Sequence, residues 1–391
     1  MYSSISFLGY NREMKQEKKL LIVSDYFYPH WTGISKSLYY LLKSLQNSYS
    51  ITVLTVAYDS SLKNEESLFN AKIIREPFLF SLSRAKYSFQ LVLKSISLIK
   101  KVDIVIINSP CTNVLPVSLI TKLFKKKLII FHQGDLLLPK GFVNRLLEKI
   151  FDFSSLVSAV MANKLATYTQ DYAQNSRILK NFLSKTSPIL LPVLLAKPNL
   201  SCKKIEKLRV LKTEHKAIFG FAGRFVEEKG FDVLFDAISL IIREIPNAHF
   251  VFAGETNMKY EQFFEKNRAK YESVKPYLTM VGLLDSECLS AFYKYLDFLI
   301  VPSRSDCFNL VQAEAMLSGV PVIVSNIPGA RVLVSKTKFG AVFETENSKS
   351  LADVLVRAYK NMDNIKKEQK NVEKILNNEE IIKNFKKFLE E

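Results

Sequence analysis

The sequence VPSRSDCFNLVQAEAMLSGVPVIVSNIPGAR, residues 301–331, contains the end of an apolar strand, a polar turn, a helix and a second apolar strand. The helix is predicted to begin near Asn309 and to stop at Gly319. Glycine accepts the left-handed conformation that ends many helices, and Pro321 behind it cannot continue a helix. A strand, a helix and a strand in this order predict a parallel sheet covered by helices.

Two carboxylates in this stretch, Asp306 and Glu314, are candidate ligand-binding groups. Asp306 lies in the turn at the positive end of the helix dipole, and Glu314 lies inside the helix among apolar neighbours. A carboxylate there is costly to bury without a partner, and a sugar diol offers two hydroxyl donors. The free amides of Phe308, Asn309 and Leu310 would suit a phosphate or a sugar oxygen. The alternative is that Asp306 only caps the helix and Glu314 lies on the surface.

Apolar runs of strand length alternate with helical patterns along most of the chain. Strands are predicted at 19–24, 51–56, 71–75, 103–107, 128–131, 165–168, 217–222, 249–253, 278–281, 298–301, 320–324 and 342–343. Helices are predicted at 34–45, 84–100, 112–124, 142–157, 231–244, 261–270, 286–294, 309–319 and 348–359. The alternation predicts an α/β fold with a ligand crevice at the carboxyl ends of the strands.

The alternation is interrupted at 181–207, where periodicity is lost and three prolines occur. We predict that this segment connects two doubly wound, Rossmann-like domains. The N-terminal domain would span 1–196, with a polar extension at 1–18, and the C-terminal domain 197–365. Residues 366–391 are charged and weakly amphipathic, and we predict a helical tail that packs back on the N-terminal domain.

The composition is that of a globular protein. Of the 391 residues, 48% are hydrophobic and 24% are charged, which argues against disorder. Four cysteines (Cys111, Cys202, Cys288 and Cys307) show no paired spacing, so we expect reduced thiols and no zinc site. The first 18 residues lack the apolar core of a signal peptide, and no apolar run is long enough to cross a bilayer. A cytoplasmic location is expected.

The net charge of +17 is concentrated in the first half, where residues 1–196 hold 25 basic and 12 acidic side chains. Such an excess is typical of proteins that bind nucleic acid, an anionic membrane or a phosphorylated substrate. The chain has no nucleic-acid-binding signature. Lysine clusters at 100–101 and 125–127 stand beside apolar helices, which suits a peripheral protein on the inner face of an anionic membrane. A solvated basic face is the equal alternative.

A second motif, GFAGRFVEEKGF at 220–231, carries two cations at the end of a predicted strand. Arg224 and Lys229 would project from the same sheet edge as the turn that contains Asp306. Arginine offers a planar fork to a phosphate, and lysine offers a compact charge. The alternative is that both cations pair with the adjacent glutamates on the surface.

Together, GRFVEEKGFDVLFDAI and PSRSDCFNLVQAEAMLSGVPVIVSNIPGA resemble the retaining GT-B glycosyltransferases of family 4, the glycosyl transferases group 1 type. The resemblance implies two Rossmann-like domains that face each other across a cleft. By that resemblance Arg224 and Lys229 would bind the diphosphate of the donor, Glu314 its ribose hydroxyls and Asp306 the transferred sugar. The full set of implied donor-binding residues is Gly33, Gly223, Arg224, Lys229, Gly282, Asp306, Phe308, Asn309, Leu310 and Glu314.

The first half resembles the same family more loosely. Relatives in this family carry a pair of glycines at positions 32 and 33 of this chain. Thr32 stands in place of the first glycine, and Gly33 is the second. His132 matches a histidine near the transferred sugar, with Asp135 beside it on the acceptor side; the alternative is a satisfied core histidine. The chain also departs from the family at three positions, with Asp306 where glutamate is usual, Asn309 where glycine is common and Asn108 where many members have histidine.

The resemblance implies a retaining hexosyltransferase that moves a sugar from a nucleotide-diphosphate sugar to a hydroxyl of a glycan or lipid-linked acceptor. Its role would lie in cell-surface polysaccharide or glycolipid synthesis. The chain has no Asp-x-Asp sequence, and Arg224, Lys229 and the helix amides could stabilise the departing diphosphate without a metal or other cofactor. Alternatives are a nucleotide-sugar epimerase or hydrolase, a non-catalytic nucleotide-sugar-binding protein and, on charge alone, a nucleic-acid-binding protein.

Overall fold

The computed structural model describes residues 18–82, 85–138, 141–215, 217–257 and 261–391. These residues form two α/β units, each built on a sheet of mainly parallel strands. The predicted pair of doubly wound, Rossmann-like sheets is therefore confirmed. The polar extension predicted at 1–18 lies outside the described residues except for Lys18.

Ten strands occur in the described part of the first half: β1 (Lys19–Ser24), β2 (Ser50–Val56), β3 (Glu65–Leu68), β4 (Ala71–Glu76), β5 (Phe80–Leu82), β6 (Ala85–Tyr87), β7 (Ile104–Ser109), β8 (Lys127–His132), β9 (Lys164–Thr167) and β10 (Thr186–Pro188). Eight of them form a sheet in the order β10-β9-β8-β7-β1-β2-β4-β3. Only the edge strand β3 runs antiparallel in this sheet, and β5 and β6 form a separate hairpin.

The first unit also has helices α1 (Gly33–Leu45), α2 (Phe89–Ile99), α3 (Val114–Leu123), α4 (Phe142–Met161) and α5 (Gln170–Asn175). The helix predicted at 84–100 begins later than expected, because residues 85–87 pair in the hairpin and the Ser88 hydroxyl caps α2 by accepting from the Leu91 amide. Arg84 lies outside the described residues. An apolar cluster that includes Leu21, Val105 and Leu91 fills the space between the sheet and α2–α4.

The second sheet consists of six parallel strands: β11 (Ala217–Ala222), β12 (Ala248–Ala253), β13 (Leu278–Gly282), β14 (Phe298–Val301), β15 (Val322–Ser325) and β16 (Gly340–Phe343). Their order is β13-β12-β11-β14-β15-β16, so the direction of winding reverses between β11 and β14. In the first sheet the reversal lies between β1 and β7. Loops that leave two strands at such a reversal diverge and leave a crevice between them.

The helices of the second half are α6 (Lys207–Glu214), α7 (Phe231–Glu244), α8 (Phe263–Lys266), α9 (Arg268–Val274), α10 (Ser286–Tyr293), α11 (Leu310–Leu317), α12 (Ala330–Thr337), α13 (Ser348–Lys360), α14 (Met362–Lys366), α15 (Gln369–Ile375) and α16 (Asn378–Glu390). The helix predicted at 261–270 is two short helices, α8 and α9. Helix α12 was not predicted. None of the helices in the described segments combines the length and the apolar composition that crossing a bilayer requires.

The chain ends in α16, which lies against the first unit. Lys127 Nζ donates to the Leu389 carbonyl oxygen over 2.9 Å, and the Lys164 ammonium lies 5.2 Å from the centre of the Phe388 ring. The expectation of a weakly amphipathic tail is wrong for α16, whose buried side chains Ile381, Phe385, Phe388 and Leu389 recur at helical spacing. The domain limits 1–196, 197–365 and 366–391 stay predictions.

The cysteines differ from expectation. Cys202 and Cys288 form a disulfide across a sequence separation of 86 residues. The prediction of four reduced thiols is therefore wrong for this pair, because linear spacing carries no information about two cysteines that only the fold brings together. Cys111 and Cys307 are free.

Candidate functional site

A cavity of about 240 Å³ lies between the two units, where both sheets reverse their winding direction. Loops that follow β1 and β7 line it from the first unit, and loops that follow β11 and β14 line it from the second. The polar groups on its wall include Asp25, Thr32, Ser37, Thr112, Gln133, Asp135, Tyr168, Tyr172, Arg224, Glu228, Lys229, Ser305 and Asp306. Gly33 and Phe308 also line it. The structure therefore brings Gly33, Asp135, Arg224, Lys229, Asp306 and Phe308, six of the predicted site residues, together on one cavity.

Lys229 and Asp306 form an ion pair at the wall of this cavity. The Lys229 ammonium lies 2.7 Å from Asp306 Oδ1 and 3.4 Å from a Glu228 carboxylate oxygen. Burial disfavours the charged ammonium, but the attraction of Asp306 and Glu228 outweighs it and raises the pKa of Lys229 above its usual value. Lys229 is therefore cationic at neutral pH. The shortest ion pair of Lys229 is with Asp306. The alternative that Lys229 pairs with an adjacent glutamate holds only for the longer contact, with Glu228.

The second oxygen of Asp306 is held by Asn309. Asn309 Nδ2 donates to Asp306 Oδ2 over 2.8 Å, and Asn309 Oδ1 accepts from the Gln312 amide over 3.1 Å. Asn309 is thus the N-cap of α11, a role that sequence analysis had left open for Asp306. The carboxylate of Asp306 is fixed between Lys229 and Asn309 and remains on the cavity wall.

Gly230 allows the two loops of the second unit to meet. It has a φ of +65°, and a Cβ placed there would lie 1.9 Å from the Pro302 carbonyl oxygen. Only glycine fits this position, since a side chain would meet backbone that cannot move aside. The close contact puts Lys229 opposite Asp306.

We expect Gly230→Ala to lower the free energy of unfolding by about 3 kcal/mol, because it adds both left-handed strain and a backbone clash. Thermal unfolding followed by circular dichroism measures this loss. The matched control is Gly33→Ala, because no atom lies within 4 Å of a Cβ at Gly33. Its melting temperature should be no lower than that of the wild type, and a comparable loss in both variants would contradict the steric argument.

Glu314 is buried, with only 3% of its surface exposed, and is not among the described residues that line the cavity. Lys36 Nζ lies 2.6 Å from Glu314 Oε1, and the hydroxyl groups of Tyr40 and Tyr293 donate to its carboxylate over 3.2 Å each. The alternative of a surface glutamate is therefore wrong. Because Lys36 and Tyr40 belong to α1, Glu314 joins the two units. Its role in binding a ribose stays a prediction.

His132 is also buried, with 2% exposure. Its Nδ1 lies 3.3 Å from the Ser109 hydroxyl oxygen and its Nε2 lies 3.0 Å from Asp135 Oδ1. Burial alone would raise the pKa of Asp135, but the His132 contact and the donors Arg177 N and Ser176 Oγ lower it to about 2. Asp135 is therefore an anion on the cavity wall, with His132 behind it, and the predicted contact of His132 with a sugar is untested.

The remaining predicted residues are Gly282, Gly223 and Leu310. Gly282 ends β13 with a φ of +71° and accepts a hydrogen bond from the Gly254 amide, and Gly223 lies at the end of β11. Leu310 is buried at the start of α11. None of these three is among the described cavity-lining residues.

Sequence reasoning missed Asp25 on the first-unit side of the cavity. Asp25 follows β1 and accepts a hydrogen bond from the Thr112 amide over 2.6 Å, and burial raises the pKa of its carboxyl group. Asn108, one of the three departures from the family pattern, donates from Nδ2 to Ser24 Oγ over 3.2 Å. Its side-chain amide therefore has a hydrogen-bond partner inside the first unit. The available signal for Asp25 was its position directly after a buried central strand.

Two further contacts join the units beside the cavity. The rings of Tyr168 and Phe308 stack with centroids 4.6 Å apart. On α12, Arg331 reaches the two Asp171 carboxylate oxygens over 2.7 and 2.9 Å. Within the described residues no group of three or more His, Cys, Asp or Glu side chains is arranged to hold a metal ion.

Comparison with known proteins connects this geometry to a family. Residues 203–385 match the profile described as "Glycosyl transferases group 1". An uncharacterized glycosyltransferase of Methanocaldococcus jannaschii is 30% identical over 153 residues, which cover 39% of this chain and 41% of the relative. The capsular polysaccharide biosynthesis glycosyltransferase CapM of Staphylococcus aureus is 22% identical over 216 residues, 55% of each chain. The chain thus matches about two-fifths to about half of the length of these relatives.

Solved structures resemble the whole chain. Sucrose-phosphate synthase of Thermosynechococcus elongatus has a TM-score of 0.77 at 16% identity and covers 96% of this chain and 98% of its own. Anabaena HepE, in complex with UDP and glucose, has a TM-score of 0.72 at 16% identity and covers 96% and 100%. At this identity the likeness establishes the fold. The chain has the GT-B fold, and its residues 203–385 are similar to the glycosyl transferases group 1 family.

Proposed function

We propose that the chain is a glycosyltransferase that moves a hexosyl group from a nucleotide-diphosphate sugar to an acceptor hydroxyl, with retention of anomeric configuration. The observation that carries the proposal is the meeting of Arg224, Lys229 and Asp306 on one cavity between the units. All three lie within the residues that match the group 1 family. Anabaena HepE, a structural neighbour, was solved with UDP-glucose, which supports a nucleotide sugar as the donor.

The residues suit the charge changes of this reaction. When the bond between the anomeric carbon and the diphosphate breaks, the electron pair goes to the phosphate oxygen. Arg224 and the cationic Lys229 would stabilise that charge, because fixed cations at a partly buried site need no reorganisation. Asp306 would accept hydrogen bonds from the sugar hydroxyls. The acceptor oxygen then bonds to the anomeric carbon and its proton passes to the leaving phosphate, which requires no metal ion.

Attack from the side on which the diphosphate departs leaves the anomeric configuration unchanged. The proposal of retention rests on the resemblance to family 4. It also needs an acceptor beside the donor, and the cavity lined by Arg224 and Lys229 has a second wall from the first unit. Asp25, Thr112 and Asp135 lie on that wall. An acceptor hydroxyl bound there would approach from the first-unit side while the donor lies on the second unit.

An epimerase, a hydrolase or a non-catalytic binding protein could use the same phosphate-binding residues. We favour transfer because the polar wall of the first unit provides a place for an acceptor. The name of the CapM relative supports a role in making surface polysaccharide. We further propose that the protein acts in the cytoplasm, at the inner face of a membrane, on a glycan or lipid-linked acceptor.

A panel of nucleotide sugars tests the donor. A ligand that binds the folded state at about 100 times its Kd stabilises it by about 2.7 kcal/mol, so the correct donor should raise the melting temperature by several degrees. Arg224→Gln should reduce that rise. Release of nucleoside diphosphate that increases with added acceptor would then distinguish transfer from epimerisation or hydrolysis. Absence of stabilisation by every nucleotide sugar would reject the proposal.

A further inference from the structure

Helix α4 (Phe142–Met161) exposes an apolar stripe. Its exposed apolar side chains include Phe142, Leu146, Ile150, Phe153 and Val160, and their spacing of three, four and seven residues places them on one side of the helix. Phe142 is 85% exposed and Val160 is 66% exposed. In globular proteins such a stripe normally faces the core, so its exposure along a 20-residue helix indicates a binding surface.

The apolar surface continues onto the neighbouring helices. Helix α3 packs against α4 and exposes Leu119 and Leu123, and α2 packs against α3 and exposes Phe89 and Leu93. We call the exposed sides of α2, α3 and α4 the outer face. The opposite sides of these helices bury the apolar cluster over the first sheet. The exposed residues therefore cover no part of the described core.

The charges on the outer face are basic. On α4 the exposed ions are Arg145 and Lys149. The acids of α4 are engaged elsewhere, since Glu148 accepts from the Leu138 amide over 2.6 Å and Asp152 lies 2.9 Å from the Arg177 guanidinium. The ends of α2 and α3 add the exposed lysines Lys100, Lys101, Lys122 and Lys125. Lys127 of the predicted cluster does not contribute, because it contacts α16.

Apolar side chains with basic neighbours match an anionic lipid surface, where hydrocarbon accepts the first and headgroups attract the second. A second copy of this chain fits the same face poorly, because self-association would bring together two basic halves. In each copy, residues 1–196 carry 25 basic and 12 acidic side chains. Like charges placed together oppose association.

The outer face is connected to the cavity through α4. Phe151 of α4 and Leu136 and Leu137 of the preceding loop line the cavity, and Leu137 is itself 40% exposed. The cavity therefore has an apolar edge at Leu136 and Leu137, in the segment that precedes α4, whereas Phe151 lies on the side of α4 opposite the exposed stripe. An acceptor head could occupy the cavity while its hydrocarbon chain lies along Leu136 and Leu137.

We propose that the outer face binds an anionic membrane with the α4 stripe in the lipid interface, and that this brings the edge of the cavity at Leu137 to the lipid surface. The acceptor class that fits is an amphiphile whose lipid stays in the bilayer while its hydroxyl enters the cavity. The acceptor class rests on the proposed transferase function, whereas the membrane contact does not depend on it.

Vesicle sedimentation of the full chain tests the contact. The wild type should bind vesicles containing about a third phosphatidylglycerol and should bind phosphatidylcholine vesicles weakly. Binding should fall when salt rises from about 0.1 M to about 1 M, because the screening length shortens from about 10 Å to about 3 Å. The double variant Phe142→Ser/Phe153→Ser should lose about tenfold or more in vesicle partition. The control Val210→Ser changes a 56% exposed valine on α6 and should bind as the wild type does.

The position of the cavity edge has its own measurement. In a Trp31→Phe background, Leu137→Trp should be quenched by brominated lipid in anionic vesicles, and Val210→Trp should not. Equal quenching at both sites would overturn the placement of the cavity edge. Equal vesicle binding by the double variant, or no vesicle binding by the wild type, would overturn the membrane contact. A dimer in gel filtration that the double variant abolishes, without vesicle binding, would assign the face to self-association instead.

Failure of this proposal and failure of the proposed function are distinguishable. Stabilisation by a nucleotide sugar should be the same in Phe142→Ser/Phe153→Ser as in the wild type, because neither phenylalanine lines the cavity in the described residues. Vesicle binding with no response to any nucleotide sugar would reject the transferase alone. A response to a donor without vesicle binding would reject the membrane contact alone.

Discussion

Replacing Lys229 by methionine is expected to lower the rate of sugar transfer by about 10²–10³-fold, which corresponds to the loss of one charge-stabilising group. The ammonium of Lys229 lies on the cavity wall, and its pKa is raised by Asp306 and Glu228. It is therefore cationic, and in the proposed reaction negative charge would develop on the diphosphate beside it. The change should appear in kcat at saturating donor, because the charge is needed most when the bond breaks.

The fold should tolerate Lys229→Met. Asp306 would keep its hydrogen bond from Asn309 and faces the cavity, where water can solvate it. The matched control is Lys212→Met, because Lys212 forms a 2.8 Å ion pair with Asp297 in the same unit and is not among the described residues of the cavity. Transfer should persist in Lys212→Met. If Lys229→Met transfers sugar at the wild-type rate, Lys229 does not act on the diphosphate.

Much of the framework followed from the sequence. Strands β1, β11 and β14 and helix α7 have the predicted limits, because each strand is an apolar run beside a polar turn or a glycine and α7 has apolar residues at helical spacing after Gly230. The approach of Lys229 to Asp306 was also predictable. They follow β11 and β14, which are neighbours in a parallel sheet, so their loops leave from the same edge.

Contacts between distant segments were not predictable in the same way. Tyr40 and Glu314 are 274 residues apart, and no local pattern connects a helix of the first unit with a carboxylate of the second. The need of a buried carboxylate for a partner could be stated from sequence, but the identity of the partner required the packing of both units. The disulfide between Cys202 and Cys288 was unpredictable for the same reason, since 86 residues separate the two cysteines.

Short elements were missed for a local reason. Helix α12 has only eight residues, ARVLVSKT, and its closely spaced valines and leucine also fit a strand. Its apolar side chains Leu333 and Val334 are buried in the fold, but their spacing in the sequence does not indicate a helix.

The predicted roles of His132 and Glu314 met a related difficulty. Burial places both behind the cavity wall in this structure, whereas the sequence indicated only that they follow or lie within elements near it.

Glu314→Ala is expected to lower kcat/KM for the donor by about 100-fold, the effect of losing hydrogen bonds to a charged group, and to lower the melting temperature as well. The substitution leaves the Lys36 ammonium between the units without its carboxylate partner, which lies 2.6 Å away in the wild type. Removing one member of a buried pair costs about 3–5 kcal/mol when the other stays buried. Lys36 has 17% of its side chain exposed, so the loss should lie below that range. Steady-state kinetics with varied donor and thermal unfolding measure the two effects.

Lys36→Met separates the two roles of Glu314, because it removes the contact between units and leaves the carboxylate. If Glu314 binds the ribose, donor affinity should be lost in Glu314→Ala and largely retained in Lys36→Met, whose carboxylate keeps the hydroxyl donors Tyr40 and Tyr293. The melting temperature should fall in both. Equal loss of donor affinity in the two variants would mean that Glu314 acts by holding the units together. The ribose contact would then have to be assigned to another residue. Lys36→Met leaves the Glu314 carboxylate in place, so it would not remove a direct contact between that carboxylate and the ribose.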